Sequence, residues 1–334
     1  MLSRKEIVNA AIAHRATPHV PYHIDVLPPV HAALERHYGD EDIDRSMGNY
    51  LRWINAPKQW ERVGENLERD EFGVVWSVNE FNRGYIAEHP LAEPTLEGYK
   101  FPNFDYRARF AHIPRVIAQS PEAFHVVWTG DLFERAHFLR GLDNILVDMK
   151  LTPEFVHELL DELLGIVLRN AEAILQYPVD AIFLSDDYGL QANLMMSPTD
   201  WRTFIKPRLA QVVEFGHQNS RKVFLHSCGN VRKVLPDLVE IGLDVLHPIQ
   251  PEAMDIEELK KSFGDRITFY GGISTQRTLS HGKPEEVKQE VEHVAAVMAE
   301  NGGFILAPGI TLQHDVPWDN LLAFIEACRK ARAG

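Results

Sequence analysis

Apolar, β-rich runs recur along the chain, and stretches with a helical period separate them. Eight are read as strands: VPYHIDV (20–26), FGVVWSV (72–78), FHVVWTG (124–130), AIFLSDD (181–187), KVFLHSC (222–228), LDVLHPI (243–249), RITFYGG (266–272) and GFILAPG (303–309). The segment 152–176 predicts a long helix, with Thr152 at its N-cap, Pro153 at its first helical position and acidic residues early. A second helix is predicted over 283–303, closed by Gly302 and Gly303. In 231–242, Pro236 predicts a kink.

Strands that alternate with helices pair in parallel. Eight of them in a chain of 334 residues predict one (β/α)8 TIM barrel spanning 1–334. Irregular excursions are expected around 27–71 and 79–122, where Pro, Trp and charged residues concentrate. The competing architecture is a doubly wound open sheet with a glycine-rich phosphate loop after an early strand. Neither GxGxxG nor GxxxxGKS/T occurs, which also argues against a nucleotide cofactor.

Barrel enzymes carry their chemistry at the C-terminal ends of the strands. Polar residues gather there in this sequence. The first strand ends in His23 and Asp25, the third in Thr129, Gly130 and Asp131. The fourth ends in Ser185, Asp186, Asp187 and Tyr188, with Gln191 beyond, and the fifth in His226, Ser227 and Cys228. The sixth carries His247 and ends near Gln250; Gln276 and Gln313 follow the last two. Residues i and i+2 of a strand point the same way, so His226 and Cys228 project side by side. Two readings fit that pair: ligands of a soft divalent metal such as zinc, or a buried thiol beside a hydrogen-bonded imidazole. Asp186 and Asp187 are adjacent and face opposite sides of a strand. One of them serves as a catalytic acid or base, or caps a helix N-terminus. Gln250, Gln276 and Gln313, which follow three successive strands, together suggest recognition of a polar ligand.

Composition narrows the function classes. Asp and Glu outnumber Lys and Arg, 48 to 34, for a net charge of −14. Such a surface repels phosphate backbones and anionic bilayers, so neither nucleic acid nor membrane is an expected partner. No apolar run approaches the roughly 18 residues of a membrane span, and the N-terminus MLSRKEIVNAAIAHR lacks a signal peptide's apolar core. Two cysteines, Cys228 and Cys328, exclude a disulfide scaffold and any four-thiolate centre within one chain. The expectation is a cytoplasmic enzyme acting on a small molecule.

At SDDYGLQ (185–191), MSPTDWRTFIKPR (196–208), LHSCGNV (225–231), IGLDVLHPIQP (241–251), FYGGISTQ (269–276) and GGFILAPGITLQHDVPWDNL (302–321), the sequence resembles the uroporphyrinogen decarboxylase superfamily. The resemblance implies a (β/α)8 barrel and offers two chemistries. The decarboxylases proper hold a polycarboxylate through an N-terminal motif of the type PVWxMRQAGR; VPYHIDVLPPV (20–30) has no arginine there. The coenzyme M methyltransferases of the superfamily bind zinc through an HxC pair, which HSC (226–228) matches, with a later glutamate and cysteine. Here Gln250 stands where the acidic ligand is expected, and Gly309, Ile310 and Thr311 where the cysteine is. The resemblance therefore implies a methyltransferase moving a methyl group between a corrinoid protein or small methyl donor and a thiol or hydroxyl acceptor, with zinc assistance. On this reading His226, Cys228 and Gln250 form the metal site, and Asp186 and Asp187 are catalytic. His23, Asp131, Tyr188, Gln191, Gln276 and Gln313 bind substrate. Corrinoid enters only through a partner protein, and a homodimer is expected. The alternatives are a metal-free decarboxylase or lyase of a small carboxylic acid, and a non-catalytic ligand-binding barrel.

Overall fold

The structure, a computed structural model, describes residues 2–78 and 84–332; residues 79–83, at the start of the second expected excursion, lie outside it. Among the described residues, eleven strands are assigned in two sheets. In chain order they are β1 (Leu51–Ile54), β2 (Glu61–Gly64), β3 (Leu67–Arg69), β4 (Val75–Ser77), β5 (Tyr85–Glu88), β6 (Phe124–Gly130), β7 (Ala181–Ser185), β8 (Lys222–His226), β9 (Val245–Ile249), β10 (Thr268–Ile273) and β11 (Phe304–Pro308). The main sheet has seven strands in the order β1-β6-β7-β8-β9-β10-β11, and the recorded pairs are all parallel.

The sheet is strongly curled. Alternate residues of every strand turn to one side. On the concave side, Leu51, Val126, Phe183, Phe224, Val245, Tyr270 and Ile305 come from all seven strands and form one buried cluster. Val8 and Ile12 of the helix Arg4–Ile12 join it, so that helix plugs the N-terminal end of the curl. The opposite faces of the strands pack against helices in a second, larger core. The helix Pro153–Ile174 contributes a continuous apolar stripe to that core.

Two strand expectations are corrected. VPYHIDV (20–26) forms no assigned strand; it makes isolated parallel bridges, Tyr22 to Leu306 and Val26 to Leu312. His23 N–H donates to Leu306 O (3.0 Å), Leu306 N–H to Pro21 O (2.9 Å), and Tyr50 N–H to Tyr22 O (3.0 Å). Pro21 has no N–H to give to a ladder. On the other side the Asn49 carboxamide, not a backbone rung, pairs with both Ile24 N–H (2.9 Å) and Ile24 O (3.1 Å). The segment thus spans the gap between β11 and β1 while the assigned sheet stays a seven-stranded half-barrel.

The second correction concerns FGVVWSV (72–78). Its strand β4 belongs to a separate antiparallel sheet, β2-β3-β4-β5, and β1, from the stretch read as irregular, takes its place in the parallel sheet. The small sheet is anchored on the helix Phe133–Arg140: Trp76 packs edge-on to Phe138, and Arg135 reaches Asp70 (2.7 Å). Pro236 sits in the first turn of the helix Leu235–Glu240 and starts it rather than kinking it. Among the described residues, no helix is long and apolar enough to cross a membrane.

Candidate metal centre at the strand ends

Strand register places the site. Ser185 of β7 pairs with His226 of β8, and His226 with His247 of β9. The residues just beyond these rungs therefore meet over the C-terminal rim. His226 and Cys228 lie side by side as their i, i+2 spacing requires, with Cys228 Sγ 3.3 Å from His226 Nε2. Asp187 comes across from β7. Its Oδ1 is 3.4 Å from His226 Nε2 and accepts the Cys228 N–H at 2.7 Å. One ligand atom from each of Asp187, His226 and Cys228 falls within 4.8 Å of the others. Burial and the neighbouring Asp187 push the Cys228 thiol well above its ordinary value.

The two turns that carry this trio touch backbone to backbone. Asn230 N–H donates to Leu190 O at 2.8 Å. A Cβ on Gly229 would lie 2.5 Å from the Gly189 carbonyl carbon, and Gly229 has φ +75°. Gly229→Ala should therefore destabilise the fold by at least about 2 kcal/mol through clash and backbone strain. Gly98→Ala is the control, because its φ is +77° but nothing lies within 4 Å of an added Cβ. Equal losses in the two variants, measured by urea unfolding, would remove the turn contact from the account.

The adjacent carboxylates part as strand geometry demands. Asp186 is fully buried and faces away from the trio. Its carboxylate accepts the N–H groups of Leu132 (3.2 Å), Phe133 (3.1 Å) and Glu134 (2.6 Å), at the start of the helix Phe133–Arg140, and the Tyr188 hydroxyl (2.7 Å). Burial pushes its carboxyl up to about 7, against the pull of these donors. Asp186 is thus the helix cap of the two sequence readings, and Tyr188, fully buried, is its partner rather than part of an open pocket.

Beneath the trio lies a floor of rings. His226 Nδ1 faces His247 Nδ1 at 2.9 Å, and burial holds both imidazoles below their ordinary value. With both rings neutral, one nitrogen donates and the other accepts. His247 packs on Tyr270 (centroids 4.4 Å apart), whose hydroxyl bonds His23 Nδ1 at 2.7 Å; His23 stacks on Trp53. His23 is therefore a floor residue. Trp53 and Tyr270 were not singled out in the sequence. Their only sequence signal is inward-facing parity, which is readable once the register is known.

The other expected site residues separate into two groups. Asp131 is bound to Arg135 (3.1 Å), which also holds Asp70, in a buried ion triad away from the trio. Gln191 is exposed and donates to Glu252 O (2.8 Å). Gln250 reaches the metal-site turn, where its Oε1 accepts the Gly229 N–H at 2.6 Å. Gln250, Gln276 and Gln313 come together at one cavity of about 390 Å³.

Comparison with known proteins agrees with this architecture. The chain superposes on a methyltransferase from Methanosarcina mazei with a TM-score of 0.75 at 20% identity, over 99% of both chains, which shows a shared fold. Among curated proteins it is 31% identical over 160 residues to a methylcobamide:CoM methyltransferase of Methanosarcina barkeri, covering 48% of this chain and 44% of the relative. It is 22% identical over 201 residues to a methylated-thiol–coenzyme M methyltransferase of Methanosarcina mazei, covering 59% and 51%. It is 25% identical over 187 residues to a uroporphyrinogen decarboxylase of Pseudoalteromonas atlantica, covering 54% and 50%. The matches span about half the length of these curated relatives. The uroporphyrinogen decarboxylase (URO-D) family model matches residues 133–331, a stretch that includes Asp187, His226 and Cys228, and the chain belongs to that family.

Proposed function

We propose that this chain is a methyltransferase that moves a methyl group from a corrinoid protein or small methyl donor to a thiol or hydroxyl acceptor, with zinc held by Asp187, His226 and Cys228. The observation that carries the reading is the trio itself. In a four-coordinate zinc site, neighbouring N, O and S ligands sit about 3.4–3.6 Å apart. His226 Nε2 to Asp187 Oδ1 (3.4 Å) meets that demand, and Cys228 Sγ, 3.3 Å from Nε2, stands slightly closer than it. Three protein ligands are also the usual number in catalytic rather than structural zinc sites. When bound, zinc keeps a coordinated thiol deprotonated at neutral pH and so makes it a nucleophile. Asp187, expected from the sequence as a catalytic residue, serves on this reading as a zinc ligand, and Gln250 supports the site through Gly229 instead of acting as a ligand. The named activities of the methyltransferase relatives support methyl transfer. The arginine-free stretch 20–30 supports a substrate other than uroporphyrinogen. On the same reading the bridged segment around Tyr22 is the eighth stave of a (β/α)8 barrel, and the chain forms one domain.

His247 sets the geometry of His226. For Nε2 to face the metal with its lone pair, the His226 proton must sit on Nδ1, and His247 Nδ1 is the acceptor 2.9 Å away. His247→Phe should weaken zinc binding by about 10–100-fold, the range for lost supporting contacts to a ligand. His247→Asn, which can offer an oxygen near the same place, should restore most of it. Zinc competition titrations with a chromophoric chelator read both variants; a His247→Phe affinity equal to the parent's would sink this role. The overall reading is tested by offering methylcobalamin and simple thiols to the zinc-loaded chain and following loss of the methylcobalamin spectrum. No demethylation with any thiol or alcohol overturns it.

A further inference from the structure

The 390 Å³ cavity adjoins the trio and has a chemistry of its own. Gln250 belongs to both places: it lines the cavity, and its Oε1 grips the N–H of Gly229, the residue after Cys228. Thr275, Gln276, Ser280, Thr311 and Gln313 supply the other neutral polar groups of the wall. Thr275 is 8% exposed, and its hydroxyl is buried without a hydrogen-bond partner. Gly309 leaves room beside it: a Cβ there would already stand 3.5 Å from Gln250 Cγ and 3.6 Å from Thr275 Oγ1.

Charge decides what such a cavity accepts. Among the described residues that line it there is no lysine or arginine; His281 is the sole basic type, and Asp315 contributes an acid. Asp25, which accepts the Thr311 hydroxyl at 2.6 Å, adds a second carboxylate behind the wall. An anionic tail would lose its hydration and meet carboxylates without a fixed counter-charge. A hydroxyl or carboxamide tail finds donors and acceptors in kind, including the unpaired Thr275 hydroxyl.

From this we infer that the cavity binds the tail of the acceptor and selects uncharged thiols bearing hydroxyl or amide groups over anionic thiols. The inference rests on the methyl-transfer reading for the word acceptor, but the cavity's ligand class stands on its lining alone. Thr275 and Gln313 are then the residues that set specificity.

The test separates the two claims. Purified chain is titrated calorimetrically with 3-(methylthio)-1,2-propanediol and with 2-(methylthio)ethanesulfonate, thioethers that present a neutral and an anionic tail without needing a metal thiolate. The expected result is tighter binding of the diol by about tenfold or more, equivalent to about 1.4 kcal/mol. Thr275→Val and Gln313→Leu should each weaken diol binding while leaving sulfonate binding unchanged, with circular dichroism melts showing that both variants fold. Equal or tighter binding of the sulfonate, no binding of the diol at millimolar concentration, or diol affinity unmoved in both variants overturns the inference. In a parallel assay, thioglycerol and 2-mercaptoethanesulfonate are offered with methylcobalamin. Selective diol binding with no demethylation by either thiol upholds the cavity's ligand class and overturns the methyl-transfer reading.

Discussion

Cys228→Ala should leave the purified chain without stoichiometric zinc. The thiol is one of three donors that meet at the strand ends, and its removal leaves only an imidazole and a carboxylate. Two such ligands compete poorly with water for zinc. The loss should exceed the roughly 10–100-fold attached to a supporting residue such as His247. Cys228 is partly exposed, so alanine opens no large void and the fold should survive. Cys328→Ser is the matching control. That second cysteine lies buried in the helix Trp318–Lys330, within the larger apolar core, and should not affect metal content. Elemental analysis after dialysis reads both variants. One zinc per chain in Cys228→Ala would falsify the centre as drawn, whatever the activity of that variant.

Asp186→Ala should produce the largest loss of stability at the rim while sparing the metal ligands. Its carboxylate is the common acceptor for three backbone N–H groups and one phenol, all buried. A buried donor left without a partner costs about 1–3 kcal/mol, and removal of one member of a buried charged network costs about 3–5 kcal/mol. A loss of about 3–5 kcal/mol is a large share of the roughly 5–15 kcal/mol that holds a typical domain together. Asp187→Ala should behave in the opposite way, losing zinc with a much smaller shift in the urea midpoint, since Asp187 is partly exposed and the backbone donor it accepts is the Cys228 N–H. If Asp186→Ala loses less than about 1 kcal/mol yet also loses zinc, the two carboxylates have been assigned the wrong way round.

These adjacent aspartates show how far the sequence could be read. Strand parity required them to face opposite sides, and both roles, a cap and a site carboxylate, were legible. Which residue took which role depended on where the helix Phe133–Arg140 begins relative to β7, a relation between segments more than 40 residues apart. His226 and Cys228 were legible as a pair because their spacing is local. Their relation to His247 was not, because it depends on the β8–β9 register. Asp131 was legible as a strand-end acid, but its carboxylate is committed to Arg135 on the next helical turn and, through it, to Asp70. The misplaced strand has a similar cause. FGVVWSV carries a stronger apolar signal than LRWI, yet Asp70 and Arg135 tie the former to an outer sheet, while Leu51 of the latter turns into the concave core.

The sequence by itself determined the parallel α/β architecture, the rim on which polar residues collect, the His226–Cys228 pair and an acidic, cysteine-poor chain. Those features follow from periodicity and neighbouring residues, which are local properties. Only the tertiary structure decided that Asp187 joins the pair and Asp186 caps a helix, that a seven-stranded sheet is bridged by the segment around Tyr22, and that three glutamines share one cavity beside Cys228. Each of those outcomes is a distance between chain segments. Such a distance is set by strand register and by the burial of unlike faces against one another, and no single stretch of sequence contains it.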